Sequence, residues 1–346
     1  MKRVQIVGTQ RSGSNLLRLL LGSLPGVFAP PSAHKLRDFQ GLLPRYGEPL
    51  NMERLIADMA ELVELNALPW PSVGDRTRIV LEEMRGSSLA HAFLAFYDGH
   101  ARYLGKQIWV SKCLENVHFI DQLVATELPV LYVHLVRDPR DVALSFSRAP
   151  IGPKDPQAIA LRWLSDQKAA LEARGVIGEN GWLTIRYEDL VADPENTLNP
   201  LCTRLGVSWS PAALDFYLGE EAHMAASISE LWNNLNRPIQ RDRASAYKRS
   251  SDAALLMAVE SIDYEVMSAF GYLPECVTAP TVISAEEEHE ALIRDRRMRA
   301  ELAASRDPEA EAVHLRRLHF LEGLKTASPR NDVGRIGCAC SSRRKQ

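Results

Sequence analysis

The sequence predicts an α/β fold in three layers, in which a central parallel sheet is covered by helices on both faces. Segments with helical apolar spacing separate four short apolar runs, an alternation that is typical of a parallel sheet of four or five strands. A glycine-bounded loop follows the first run, and such loops join strands to helices in ligand-binding α/β proteins. The apolar runs, which we expect to form buried strands, are 3–7, 107–111, 130–136 and 182–185.

Helices are expected where apolar residues recur at intervals of three and four. The first helix should end at Leu24-Pro25-Gly26 and the last helix of the main domain at Gly271-Tyr272-Leu273-Pro274, because proline and glycine terminate helices. Residues 27–50 are rich in proline and turn residues. The predicted helices are 14–24, 51–65, 88–103, 115–126, 156–173, 194–205 and 252–269.

Three parts are expected along the chain: a main domain over 1–280, a helical extension over 281–325 and a disordered tail over 326–346. The extension is dense in Glu, Arg and Ala and should form two helices broken near Asp307-Pro308. It is either a solvated appendage or a partner-binding element, and a homodimer through these helices is one hypothesis. A partial apolar stripe in it consists of Leu315, Leu318, Leu321 and Leu324.

Composition argues against several classes of protein. The net charge of −3 and pI of about 6.3 give no basic field for nucleic acid. The sequence contains no run of 18 apolar residues, so we expect no transmembrane segment. Because a core strand starts within the first three residues, we expect no signal peptide. The five cysteines show no C-x-x-C spacing, so we expect neither zinc nor disulfides, and a cytoplasmic location. Cys338 and Cys340 in the tail could bind metal or be oxidised, but most such tails do neither.

The loop after the first strand, Gly8-Thr9-Gln10-Arg11-Ser12-Gly13-Ser14-Asn15, nearly matches the P-loop pattern G-x-x-x-x-G-K-[ST]. Gly8 and Gly13 have the required spacing, but Ser14 occupies the lysine position and the cation comes earlier, at Arg11. Backbone N–H groups and a helix N-terminus can still hold a phosphate-like anion. The sequence therefore predicts a P-loop NTPase-like fold whose apparatus for nucleotide hydrolysis is incomplete.

A second anion-binding group is expected where strand 130–136 ends. Arg137 follows this strand, Asp138 suits the N-cap of the next helix and Pro139 its first turn. Ser145 lies about two helical turns further on, so its hydroxyl and the guanidinium could converge on a second phosphate. An arginine at a strand end is otherwise often a structural ion-pair partner, but open α/β sheets bind ligands at this edge.

Together, GTQRSGSNLLRLLL and VRDPRDVALSF resemble the sulfotransferases that use 3′-phosphoadenosine 5′-phosphosulfate (PAPS). The resemblance covers about residues 3–273 and includes IRYEDL at 185–190 and, more weakly, WNNLNRPI at 232–239. It implies a donor that carries phosphate at two places, and no metal.

The resemblance also assigns candidate donor-binding residues. In that family the first loop binds the 5′-phosphosulfate, and the arginine and serine that match Arg137 and Ser145 bind the 3′-phosphate. Arg186 and Tyr187 would contact the nucleotide or order the sheet edge. The first loop contributes Arg11, Ser12, Gly13, Ser14 and Asn15.

Sulfonate transfer also needs a base for the acceptor hydroxyl and a cation near the developing charge. In related sulfotransferases a Glu or His near the open end of the sheet often serves as the base, and some carry Glu at about the position of His34, which is the candidate here; the alternative is a histidine that caps the next helix or binds the edge of a phosphate. Lys112, after the second strand, would stabilise the transferring group unless it is merely solvated. His118 is the fallback base, and His134 is expected to be a core residue.

Three functions are compatible with these motifs. The first is transfer of sulfonate from PAPS to a hydroxyl of a carbohydrate, lipid or small metabolite. The second is a P-loop nucleoside or metabolite kinase, which Ser14 disfavours, and the third is a non-catalytic nucleotide-binding scaffold. A helical cap of 40–105 and 210–250 is expected to shape the acceptor pocket, with Trp70, Trp109 and Trp232 as candidate stacking surfaces.

Overall fold

The computed structural model describes residues 1–228, 232–304 and 308–326. The cysteine pair Cys338 and Cys340 lies outside the described residues, as does almost all of the predicted tail. Asp307, at the expected break between the C-terminal helices, also falls outside them.

The predicted three-layer architecture is confirmed, with five parallel strands in the order β2-β3-β1-β4-β5. The strands alternate their side chains between two apolar layers, as the twofold period of a strand requires. Trp109, Tyr132 and Trp182 belong to one layer, whereas Ile6, Val110 and Val133 belong to the other. The strands are β1 Lys2–Gly8, β2 Val27–Phe28, β3 Ile108–Ser111, β4 Leu131–Val136 and β5 Trp182–Arg186.

Helices cover both faces of the sheet. Most of the predicted helices are found within a few residues of their predicted bounds. The helices are α1 Ser14–Gly22, α2 Lys35–Gln40, α3 Met52–Glu64, α4 Arg76–Glu83, α5 Leu89–Tyr103, α6 Ile120–Val124, α7 Pro139–Arg148, α8 Pro156–Ile177, α9 Tyr187–Ala192, α10 Pro194–Leu205, α11 Glu220–Ile228, α12 Ala253–Ala269, α13 Ala285–Ala303 and α14 Pro308–Thr326. Short 3₁₀ helices occupy Leu43–Tyr46, Leu114–Phe119, Pro211–Leu218, Arg241–Arg243 and Ala246–Arg249.

Two local predictions were incomplete. The edge strand β2 is only two residues long, too short to show a periodic pattern within the proline-rich segment. The helix expected over 115–126 is a 3₁₀ helix followed by the short α6. The side chain of Gln5 explains the difference, because it accepts a hydrogen bond from Asn116 and donates one to the Cys113 carbonyl, both at 3.0 Å. These bonds hold the tight turn against β1.

The strand order creates a crevice at the carboxyl ends of β1 and β4. The chain leaves β1 toward β2 on one side of the sheet, whereas it leaves β4 toward β5 on the other. Open α/β sheets bind ligands where the strand order reverses in this way. The crevice therefore brings the first glycine-bounded loop beside Arg137, although the two are separated by more than 100 residues.

The two C-terminal helices pack on the preceding domain. Arg294 of α13 donates to Asp155 at 2.8 Å, and the carboxylate of Asp295 accepts from the backbone N–H of Lys154 at 2.5 Å. The stripe predicted on α14 is divided: Leu321 and Leu324 pack against the apolar cluster below the sheet, whereas Leu315 and Leu318 are 40% and 41% exposed. A homodimer through these helices stays a prediction.

Candidate functional site

A cavity of about 550 Å³ lies at the crevice. Its lining includes residues of the first loop, residues that follow β3 and β4, and several residues between 232 and 246. Ser12 and Arg186 are not among its lining residues. The other predicted site residues line it together: Arg11, Gly13, Ser14, Asn15, His34, Lys112, Arg137, Ser145 and Tyr187.

The first loop passes close to its neighbours at two glycines. Gly8 has φ 134°, and a Cβ there would lie 2.4 Å from the carbonyl oxygen of Leu135. Gly13, at the N-cap of α1, has φ 87°, and its Cβ would lie 2.4 Å from the ring of Tyr187. Only glycine fits both the backbone conformation and the space. The loop therefore lies directly against the neighbouring strand β4 and against the Tyr187 ring that lines the cavity.

The close approach of Gly13 to Tyr187 leads to a prediction. We expect Gly13→Ala to lower the free energy of unfolding by about 1–3 kcal/mol, because the methyl group overpacks the ring and the left-handed backbone disfavours alanine. Displacement of the ring should also weaken binding of 3′-phosphoadenosine 5′-phosphate (PAP), measured by calorimetry. Gly41→Ala is the matched control, since among the described residues no atom beyond its chain neighbours lies within 4 Å of its Cβ position. Equal effects of the two substitutions would contradict the prediction.

Arg11 and Arg137 form a cationic pair in the cavity. Arg11 has φ 72° and donates through Nε to the Ser145 hydroxyl at 2.9 Å, while Arg137 donates through Nη1 to the Arg11 carbonyl at 3.0 Å. Burial, and then the charge of Arg137, lower the pKa of Arg11 to about 10. Two neighbouring cations that are both partly removed from water are unfavourable by themselves, so binding of an anion beside them is favoured. The Arg11 guanidinium thus lies on the Arg137 and Ser145 side of the cavity in this conformation.

Arg137 is held from three directions. Its Nη2 donates to the Arg243 carbonyl at 2.7 Å, and its guanidinium lies 4.3 Å from the centroid of the Tyr187 ring. Asp141, one helical turn on, lies 3.6 Å from the same Nη2. The buried Nε finds no hydrogen-bond partner among the described residues, so a donor remains available to a ligand.

The helix after Arg137 begins as the sequence predicts. Asp138 is the N-cap of α7 and Pro139 its first residue. Arg140 then anchors the corner, because its guanidinium pairs with both Asp138 and Glu260 at 2.8 Å. Glu188 accepts the backbone N–H of Asp138 at 3.1 Å, so it braces this corner.

His34 also lines the cavity and is paired with the buried carboxylate of Glu115 through Nδ1. Burial opposes ionisation of Glu115, but the imidazole of His34 and then Arg37 lower its pKa to about 2. An ionised carboxylate only accepts hydrogen bonds, so Nδ1 is the donor and Nε2 is the nitrogen that can accept a proton. His34 occupies the N-cap position of α2, yet its side chain makes no capping hydrogen bond.

Lys112 lies at the end of β3 and also lines the cavity. Desolvation, followed by the nearby charge of Arg18, lowers its pKa to about 8. The Lys112 side chain is therefore mostly protonated at neutral pH and begins to lose its proton as the pH approaches 8. Such a cation can stabilise negative charge that develops in a transition state.

The family model of the sulfotransferases matches residues 3–211, which is more than half of the 346 residues of the chain. The chain belongs to the sulfotransferase family. No described residues of this sulfotransferase form a group of acidic, histidine and cysteine side chains that could hold a metal ion. None of its described helices is long and apolar enough to cross a membrane.

Solved sulfotransferase domains share the fold of this sulfotransferase. The sulfotransferase domain from the Synechococcus PCC 7002 olefin synthase has a TM-score of 0.56 and 22% identity, covering 79% of this chain and 95% of that domain. The sulfotransferase domain from the curacin biosynthetic pathway also has a TM-score of 0.56, with 21% identity over 79% of this chain and 99% of that domain. No curated protein matches the sequence significantly.

Four predicted residues of the sulfotransferase lie away from the cavity lining. The hydroxyl of Ser12 is buried and has no partner among the described residues, and the Arg186 guanidinium lies 4.5 Å from the centroid of the Tyr272 ring. His118 pairs with Asp166 at 2.7 Å outside the cavity. His134 is the core residue that was expected, since burial lowers its pKa to about 4 and Gln167 lies 2.7 Å from its Nε2.

The cap of the sulfotransferase cavity differs from the predicted cap. Of the predicted cap, residues 210–250 contribute Phe216, Trp232 and neighbouring residues to the lining, but residues 40–105 contribute none. Trp70 and Trp109 are 3% and 0% exposed and belong to the core, so Trp232 is the tryptophan that can meet a ligand.

Sequence reasoning missed Glu115, the partner of His34, and Arg243, whose carbonyl holds Arg137. The position of Glu115 three residues after Lys112 was a usable signal; the position of Arg243 in the chain offered none.

Proposed function

We propose that this protein transfers a sulfonate group from PAPS to a hydroxyl of a carbohydrate, lipid or small-molecule acceptor. The observation that carries the proposal is the convergence of two anion-binding groups and a carboxylate-paired histidine on one cavity. Sulfonate transfer needs both: cations for a doubly phosphorylated donor and a base for the acceptor.

The residues fit PAPS in number and chemistry. Arg137 and Ser145 would hold the 3′-phosphate, and the unpartnered Nε of Arg137 supports this assignment. The backbone N–H groups of 12–15, at the N-terminus of α1, would hold the 5′-phosphosulfate, whereas the Arg11 guanidinium, which is bonded to Ser145, would meet the donor beside the 3′-phosphate. Excess positive charge in a desolvated site also disfavours a neutral ligand.

When bound, PAPS would supply a transferable sulfonate and a phosphate leaving group. His34 would then take the proton of the acceptor hydroxyl through Nε2. The Glu115 carboxylate, held on Nδ1, would orient the ring and stabilise the imidazolium. Lys112 would offset the negative charge that grows on the transferring group and the leaving oxygen.

The acceptor is expected to meet an apolar wall. Phe216, Trp232 and Ile239 line the cavity together with Leu114, the first residue of the 3₁₀ helix that follows β3. These side chains suit either the face of a sugar ring or an acyl chain. A screen of hydroxyl acceptors with labelled PAPS distinguishes the two classes.

Titration calorimetry tests the donor assignment. We expect PAP to bind with a micromolar dissociation constant and ATP not to bind, because Ser14 replaces the P-loop lysine. Tight ATP binding without PAP binding would favour the kinase alternative and overturn the proposal. Binding of PAP with no transfer to any hydroxyl acceptor would instead support the non-catalytic scaffold.

The lowered pKa of Lys112 predicts a pH dependence. The ammonium form is present below a pKa of about 8 and is lost above it, so kcat/KM should fall as pH rises through about 8. Lys112→Arg should move this basic limb to higher pH, because a guanidinium stays protonated. A basic limb that is identical in the two proteins would contradict the role of Lys112.

A further inference from the structure

Arg317 links the C-terminal helix α14 to the segment that carries His34. Its Nη1 donates to Asn66 at 2.8 Å, and its Nη2 donates to the Ala33 carbonyl at 3.2 Å. The same Nη2 forms an ion pair with Asp38. The Arg317 side chain is only 14% exposed, so these charge-assisted bonds are largely shielded from water and are stronger than surface ion pairs.

Charged side chains continue from Asp38 to the imidazole. Arg37 donates through Nε to Asp38 at 2.8 Å, and its Nη1 lies 3.6 Å from Oε1 of Glu115. That same oxygen accepts the hydrogen bond from His34. Cation and anion thus alternate from Arg317 to His34, and groups in one such network are energetically coupled.

The backbone of His34 needs support on both sides. Its φ of 50° and ψ of 28° lie in the left-handed region, which costs a residue other than glycine about 1–2 kcal/mol. Such a conformation persists only where the surroundings impose it. Lys35, which follows, is fully buried with Nζ 4.0 Å from the centroid of Trp70, whereas the Ala33 carbonyl, which precedes, is held by Arg317.

We propose that Arg317 is a positioning residue for His34, so that the C-terminal helix completes the candidate active site. This inference rests on the proposed function for the meaning of His34, but its geometry stands by itself. Arg317 does not line the cavity, and it acts through Ala33 and Asp38. Phe320, Leu321 and Leu324 keep the helix in place by packing against the apolar cluster that contains Leu36 and Phe39 of α2.

The tautomer of His34 provides a test that needs no sulfonate transfer. In protein labelled with ¹⁵N-histidine, at pH 8, the His34 ring should show the single tautomer protonated at Nδ1, with His34→Gln assigning its signals. Arg317→Ala should give a mixture of tautomers, because the Ala33 carbonyl and Asp38 are released. Arg316→Ala is the matched control, since Arg316 is the exposed neighbour on the same helix. An unchanged tautomer in Arg317→Ala, or the same change in Arg316→Ala, would overturn the proposal.

Kinetics provide the second measurement. Arg317→Ala should lower kcat by about 10- to 100-fold through misplacement of the base, with PAP affinity unchanged. Arg317→Lys should recover part of the loss, because an ammonium keeps the charge but not the fork of donors. Equal losses in kcat and PAP affinity would indicate general disruption and overturn the proposal.

If Arg317→Ala fails to fold, Asp38→Asn replaces it as the variant that interrupts the charged chain at constant volume, with the same expected result. A tautomer change in a protein that transfers no sulfonate would support the positioning of His34 and overturn the proposed function alone.

Discussion

His34→Ala is expected to lower kcat by about 10²- to 10⁴-fold, the range that a positioned general base contributes. PAP affinity should change little, because the His34 side chain is paired with Glu115 and is assigned to the acceptor hydroxyl rather than to either phosphate. The loss follows from the pairing of Nδ1 with the Glu115 carboxylate, which leaves Nε2 to accept the proton. Steady-state turnover with labelled PAPS, together with calorimetric titration of PAP, separates the two effects.

Two further variants sharpen this experiment. Glu115→Gln should reduce kcat by about tenfold or more, because an amide stabilises the imidazolium less well than a carboxylate. His118→Ala should leave turnover unchanged, since His118 pairs with Asp166 outside the cavity. Unchanged turnover in His34→Ala would remove the base assignment, and a large loss in His118→Ala would transfer it to the fallback histidine.

Arg137→Ala is expected to weaken PAP binding by about 10- to 150-fold, which corresponds to the 1.5–3 kcal/mol of a hydrogen bond to a charged group. The guanidinium is pre-organised by Tyr187 and the Arg243 carbonyl and still has an unpartnered Nε. Its loss should also remove the preference for PAP over adenosine 5′-monophosphate, because only PAP carries the 3′-phosphate. Calorimetric titration with both nucleotides measures this preference.

Controls separate the contact with the 3′-phosphate from the general charge of the protein. Arg137→Lys should lie between wild type and alanine, since lysine keeps the charge but loses the planar fork. Arg78→Ala removes an exposed charge on α4 and should leave both affinities unchanged. If Arg137→Ala weakens the two nucleotides equally, Arg137 does not read the 3′-phosphate.

Particular elements show how far the sequence could predict the fold. β1, β4 and the helix after Arg137 were predictable because each combines a strong period with a local stop or cap signal. β2 and the turn at 114–119 were not, because one has two residues and the other is shaped by hydrogen bonds from Gln5. Local signals cannot report a contact across more than 100 residues.

The site shows the same division. Residue type and spacing indicated the anion-binding loop and the pairing of Arg137 with Ser145, because both lie at strand ends that the pattern reveals, whereas the roles of His34 and Lys112 were implied by the resemblance to sulfotransferases. Only the tertiary structure shows that Glu115 pairs with His34 and that Arg317 donates to the Ala33 carbonyl. It also shows that Arg186 and residues 40–105 do not line the cavity. The physical reason is that a motif specifies chemistry within one turn or loop, whereas the partner that orients each group is chosen by packing between distant segments.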